Sequence, residues 1–121
     1  MEHFELSLTG DPARAKATVQ QALEQRRFKL AWADEWTGTA ERGNKVANAL
    51  LGAFAQYFKV DVAIRSAPID GQALVRIERG SRGYLGGAIG AARTNKNLQQ
   101  LFEELQSTFA AAGVLQGATS A

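Results

Sequence analysis

The sequence predicts an α+β domain: an antiparallel sheet of four to five strands in a β-α-β(3-4)-α order, with its helices packed on one face. Three observations predict it. Several short runs alternate apolar and polar residues, the period of a half-buried strand. Asp70-Gly71 joins two of those runs with the strongest two-residue hairpin signal in the chain. One helix-like segment follows the first run and a longer one lies near the end. Hairpin-linked strands with polar outer faces belong to antiparallel sheets that keep one face wet.

Phe4, Leu6 and Leu8 alternate with Glu5 and Ser7, and Gly10 ends that strand. Asp11-Pro12 supplies an N-cap followed by proline at the first helical position. Ala15, Val19, Ala22 and Leu23 form the apolar stripe of a helix expected to end near Arg27. Arg26 and Arg27 in its last turn suit the negative end of the dipole. Phe28, Leu30 and Trp32, then Trp36, Gly38 and Ala40, read as two strands around Asp34-Glu35. A three-residue connection that pairs Trp32 with Trp36 places both apolar rows on one face, and cross-strand aromatic pairs are favourable.

Gly43-Asn44 marks a turn. Val46, Ala47, Leu50, Leu51, Phe54 and Phe58 then follow helical spacing, with a Gly-Asn hairpin into another strand as the alternative. Val60, Val62 and Ile64 form the next strand, and Ala73, Val75 and Ile77 the one after. A loop of only Asp70-Gly71 would set Ile64 opposite Ile77 and Arg65 opposite Arg76, with Glu78 diagonal to Arg65. Leu98, Leu101, Phe102, Leu105 and Phe109 are the clearest helical stripe, and Gly113 is its natural stop. Residues 1–115 therefore read as one domain and 116–121, small and polar, as a frayed tail.

The order of elements resembles the β-α-β4-α fold of the TATA-binding-protein-like group, and more loosely the helix-grip domains that hold apolar ligands. The resemblance is one of architecture, and fold alone does not carry function.

Composition excludes several chemistries. The chain has 121 residues, 45% hydrophobic and 21% charged, so one globular domain is expected. It has no cysteine, which removes disulfides, thiol nucleophiles and cysteine-ligated metals. Its one histidine, His3, lies near the start of the sequence, so zinc and triad chemistry are not expected. Met1-Glu-His-Phe-Glu lacks the order of a signal peptide. The least charged stretch, Val46 to Phe58, is shorter than the ~20 residues of a membrane span. A cytoplasmic protein without a membrane span is the expectation.

The most unusual feature is the run from Gly80 to Gly90, which holds five of the twelve glycines: Gly80, Gly83, Gly86, Gly87 and Gly90. One reading is an anion site at a helix start, supplemented by Arg79, Arg82 and Arg93. The spacing is neither a dinucleotide fingerprint nor a Walker loop. The more economical reading is close packing, because Gly83, Gly87 and Ala91 recur every fourth residue, as do Gly86 and Gly90. Each glycine costs a helix ~1 kcal/mol relative to alanine, a penalty that close contact would offset. The segment around Leu51 and Phe54, with Ala47, Gly52 and Ala55, is a possible partner surface.

Other candidates are weaker. Arg65, Arg76, Arg79, Arg82, Arg93 and Lys96 form a basic stretch, yet a net charge of only +2 argues against nucleic acid. Asp34 and Glu35 read as a solvated turn, Glu103 and Glu104 as the wet face of the last helix. Trp32, Trp36, Tyr57 and Phe58 fit core positions better than base-stacking ones, and Ser81 lacks a histidine base. The sequence thus points to a non-enzymatic interaction module, homo-oligomeric through apolar small-residue helices and without a cofactor. The alternatives are a carrier or sensor of a small apolar ligand, with Trp32 and Trp36 lining its cavity, and a weak nucleic-acid or anion binder.

Overall fold

The computed structural model describes residues 1–43, 58–80 and 87–121, with side chains in the last stretch from residue 95 onward. The chain runs β1 (His3–Thr9), α1 (Pro12–Gln25), β2 (Lys29–Trp32), β3 (Thr37–Arg42), β4 (Phe58–Ser66), β5 (Gln72–Arg79), α2 (Gly87–Ala111) and β6 (Leu115–Ser120). The strands form one antiparallel sheet in the order β2-β3-β4-β5-β1-β6. The α+β class is the expected one, but the described sheet has six strands where four to five were predicted. Predicted elements within 44–57, including the helix-or-hairpin segment with Leu51 and Phe54, lie outside the described residues.

Local signals explain where α1 begins. Asp11 is extended and accepts a hydrogen bond from the Arg14 amide at 2.8 Å, and Pro12 opens the helix. The helix ends at Gln25, so Arg26 caps it and Arg27 lies beyond in the left-handed region with φ 69°. Arg26 still meets the negative end of the helix, its guanidinium donating to the Ala22 carbonyl at 3.0 Å. The same side chain reaches α2, at 3.3 Å from Glu104 and in hydrogen-bond contact with Thr108.

Alternation decides which face of the sheet is buried. Phe4, Leu6, Leu8, Phe58, Val60, Val62, Ile64, Ala73, Val75 and Ile77 all point into one core with Val19 and Leu23 of α1 and Leu98, Leu105 and Phe109 of α2. Phe4 and Phe102 stack with centroids 4.8 Å apart, fixing α2 over β1. Each of these side chains larger than alanine contributes roughly 1.5–3 kcal/mol. An exposed ion pair on the other face contributes about 0–1, so the apolar row sets the orientation of every strand.

Both predicted hairpin registers are off by two residues, which preserves the faces and changes the neighbours. Trp32 lies opposite Gly38, and Trp36 sits in the connection instead of opposite Trp32. Gly38 is required there: a Cβ on it would fall 2.6 Å from the Ala31 carbonyl oxygen and 2.9 Å from the Trp32 ring. Between β4 and β5 the loop is Pro68–Gly71, with Gln72 N–H donating to the Ile69 carbonyl at 3.3 Å across Asp70-Gly71. Ile64 therefore faces Val75, Arg65 faces Leu74, and Arg76 faces Ala63.

The expected frayed tail is instead β6, the sixth strand. Gly113, with φ 75°, turns the chain out of α2, and residues 115–120 pair with β1 through a bulge opposite Ser7 and Leu8. Small polar residues suffice because the strand is held by backbone bonds along an edge, with only Leu115 and Ala118 leaning on the core. Among the described residues no helix is long and apolar enough to cross a membrane.

Candidate functional site

Of the contact residues read from the glycine run and its partner segment, Arg79 is the one whose side chain is described. It ends β5, where its guanidinium lies 2.6 Å from the Glu2 carboxylate and donates to Asn95 Oδ1 at 3.1 Å. The Glu2 carboxyl is held below its usual range, first by the hydrogen bond from Arg79 and then by its charge. Arg79 thus joins the residue before β1, β5 and the third turn of α2. Gly80 continues the β4–β5 ladder, its N–H donating to the Lys59 carbonyl at 3.1 Å. A Cβ there would lie 3.1 Å from both that carbonyl and Lys59 Cγ, so the first glycine of the run serves close approach.

Gly87 and Gly90 lie in the first turn of α2 and Arg93 in the second, just before the Asn95 anchor. The helix reading holds from Gly87 onward. Arg82, Gly83, Gly86, Leu51 and Phe54 lie outside the described residues, as do Ser81 and Tyr57.

Among the described residues of the basic stretch, Arg65, Arg76 and Arg79 each meet a carboxylate. On the open face Glu5 sits between Arg65, at 3.4 Å, and Arg76, at 3.3 Å, and Arg76 also reaches Glu78 at 3.3 Å. The registers explain this ladder, since Arg76 stands between Glu5 of β1 and Ala63 of β4. Paired guanidinium groups offer less to a phosphate than the sequence suggested, while Lys96 stays exposed on α2.

The tryptophans are likewise accounted for. Lys16 Nζ lies 4.5 Å from the Trp32 ring centre and 5.7 Å from that of Trp36, and donates to the Glu35 carbonyl at 2.6 Å. Trp32 Nε1 donates to Gln20 Oε1 at 3.1 Å. Asp34 closes the hairpin by accepting from the Trp36 and Thr37 amides and the Thr37 hydroxyl, each at 2.8 Å. Those bonds, the Trp36 amide foremost, hold its carboxyl below the usual range. It braces the turn.

One feature escaped the sequence reading. Ala33, Thr37, Thr39, Asp61, Ala63 and Glu78 line a shallow depression of about 240 Å³ on the open face. Asp61 stands opposite Glu78 and Thr39 in register. Burial pushes the Asp61 carboxyl up, Glu78 adds to the rise, and Lys59 opposes it. The alternation placed these residues on one face, but only the true register sets the two carboxyls side by side. Among the described residues no three metal-ligating side chains converge, so the pair has no third ligand. No family model matches the sequence, and comparison with curated proteins finds no relative.

Proposed function

We propose that the chain is a non-enzymatic interaction module that assembles with copies of itself, through the small-residue beginning of α2. The observation that carries this reading is the position of Gly87 and Gly90 in the first turn of α2. Glycine costs a helix interior ~1 kcal/mol relative to alanine, and close backbone approach is what a glycine such as Gly90 secures. The rest of α2 has no such composition: from Leu98 onward it packs through Leu101, Phe102, Leu105 and Phe109.

The two alternatives draw less support. A basic-patch binder needs open cations, yet Arg65, Arg76 and Arg79 each lie against a carboxylate. A carrier of an apolar ligand would use Trp32 and Trp36, whose rings lean on the core and lie by the Lys16 ammonium, with Trp32 also bonded to Gln20.

Replacing Gly87 and Gly90 together by alanine tests the proposal. The expected result is a chain that melts higher, because alanine favours the helix, and that associates at least tenfold more weakly in sedimentation equilibrium. Unchanged association with the higher melting point would remove α2 as the contact. A wild-type chain that stays monomeric at high micromolar concentration would overturn the module reading itself.

A further inference from the structure

We infer that β6 is the edge through which a second copy of this chain extends the sheet, each copy adding its β6 antiparallel to the other's. The inference deepens the self-assembly reading by naming a second surface for it. It stands on which backbone groups β6 leaves unused. His3 and Ala121 exchange both of their backbone bonds, Ala121 N–H to the His3 carbonyl at 3.1 Å and His3 N–H to the Ala121 carbonyl at 3.3 Å. Antiparallel ladders alternate such pairs with pairs whose groups point away. Glu5 with Thr119 and Ser7 with Gly117 are therefore the next bonded pairs. The N–H and C=O of Ala118 and Ser120 point outward, away from β1.

An open edge of this kind is a template for another strand, and folded proteins blunt it with lysine, proline or brevity. The two edges of this sheet differ in that respect. β2 has only four residues, begins with exposed Lys29 and ends with Trp32 under the Lys16 ammonium. β6 has six residues, Leu-Gln-Gly-Ala-Thr-Ser, with neither charge nor proline.

The same composition selects a second copy as the occupant. In a two-fold pairing every residue meets an image of its own strand, so like charges would collide. β6 has none. A two-fold axis at Thr119 pairs Ala118 with Ser120 of the second copy and Ser120 with its Ala118. Two such pairs of two bonds each satisfy all the outward groups just named. Thr119 then meets its own image, a favourable cross-strand pair. On the helix side only Ala118 and Ser120 stand at the seam, small enough to let the two sheets meet. The pairing closes at two copies, and the protected β2 edges end the joined sheet on both sides.

Amide hydrogen exchange across a dilution series from ~1 mM to ~10 μM reads this directly, a range suited to a few net hydrogen bonds. When nine-tenths of the chains are paired, the Ala118 and Ser120 amides should exchange about tenfold more slowly than in the dilute sample. Thr119 and Gly117, bonded to β1 in either state, should not change with concentration. Ala118→Pro and Ser120→Pro remove outward donors only, so each should keep the melting temperature and abolish the concentration dependence. Rapid exchange at Ala118 and Ser120 in a sample that sedimentation shows to be oligomeric would overturn the edge and leave self-assembly through α2 standing. A chain monomeric throughout would overturn both.

Discussion

At their C-termini α1 and α2 are built alike, and at their N-termini they are not. In α1 the Arg27 N–H donates to the Glu24 carbonyl at 3.0 Å and Phe28 N–H to the Leu23 carbonyl at 3.1 Å. In α2 Gly113 N–H donates to Ala110 and Val114 N–H to Phe109, both at 3.0 Å. Each helix is closed by a residue in the left-handed region, with φ 69° at Arg27 and 75° at Gly113, and by an apolar residue returning to the core. The beginnings differ because α1 has a side-chain cap and a proline, whereas Leu85-Gly86 before α2 offers no side-chain acceptor. A 25-residue helix is ~37 Å long and the eight-residue β5 ~26 Å. The described core packing of α2 lies in its later half, from Leu98 onward, and the contact surface proposed above in its glycine-bearing start.

The largest effect should come from that later half. Leu105 is fully buried, as Leu23 is in α1, and replacing either by alanine should cost ~3 kcal/mol, within the range of buried leucine truncations. Urea unfolding gives the number for both. Equal losses would show that the two helices are anchored to the core equally well. A loss below ~1 kcal/mol at Leu105 would mean that α2 is not held from its C-terminal half, and the division of the helix would fail.

A smaller and opposite pair of effects belongs to the shared closing motif. A Cβ at Gly113 would meet no neighbour within 4 Å, so Gly113→Ala tests backbone conformation without crowding. It should destabilise by ~1 kcal/mol, because the left-handed region penalises a side chain. Arg27→Gly relieves the same strain and should stabilise by ~0.5 kcal/mol, the remainder being lost to a freer unfolded chain. If both substitutions shift the urea midpoint in the same direction, the two ends are not energetically alike.

Much of this architecture was legible, and each misreading has a physical cause. Alternation identified the buried row of every described strand except β6, and Asp11-Pro12 and Gly113 marked a helix start and a helix stop. Register was not legible, because a shift of two keeps each residue on its face and leaves the pattern unchanged. The clue at Gly38 is steric: the Trp32 ring and the Ala31 carbonyl leave no room for a Cβ. The shift between β4 and β5 hid the facing of Asp61 and Glu78. β6 was missed because an edge strand held by backbone bonds needs no apolar alternation. Of the candidate contact residues, the structure sets Arg79 against Asn95 and Gly87 and Gly90 on α2. Leu51, Phe54, Arg82, Gly83 and Gly86 lie outside the described residues.

The smallest effect concerns how the start of α2 is tied to the sheet. Arg79 holds Glu2 on one side and Asn95 on the other, where α1 has instead the Arg26 clamp onto Glu104 and Thr108 at its far end. Because Glu2 binds Arg79 in its charged form, its carboxyl titrates below the usual glutamate range. A depressed folded-state value contributes stability above the ordinary glutamate pKa, and that contribution is lost as pH falls through the lowered value. Glu2 is exposed, so the sensitive readout is its own titration by NMR and not the melting temperature. The midpoint should lie below the ordinary value in dilute buffer and rise toward it in ~1 M salt, where exposed charges are screened within ~3 Å. Arg79→Gln should produce the same rise at low salt and release the Asn95 amide signals of α2 from their wild-type positions. If the Glu2 midpoint is ordinary from the outset, Arg79 does not bind β1 in solution. The beginning of α2 would then be joined to the sheet through Asn95 without the support of the N-terminal strand.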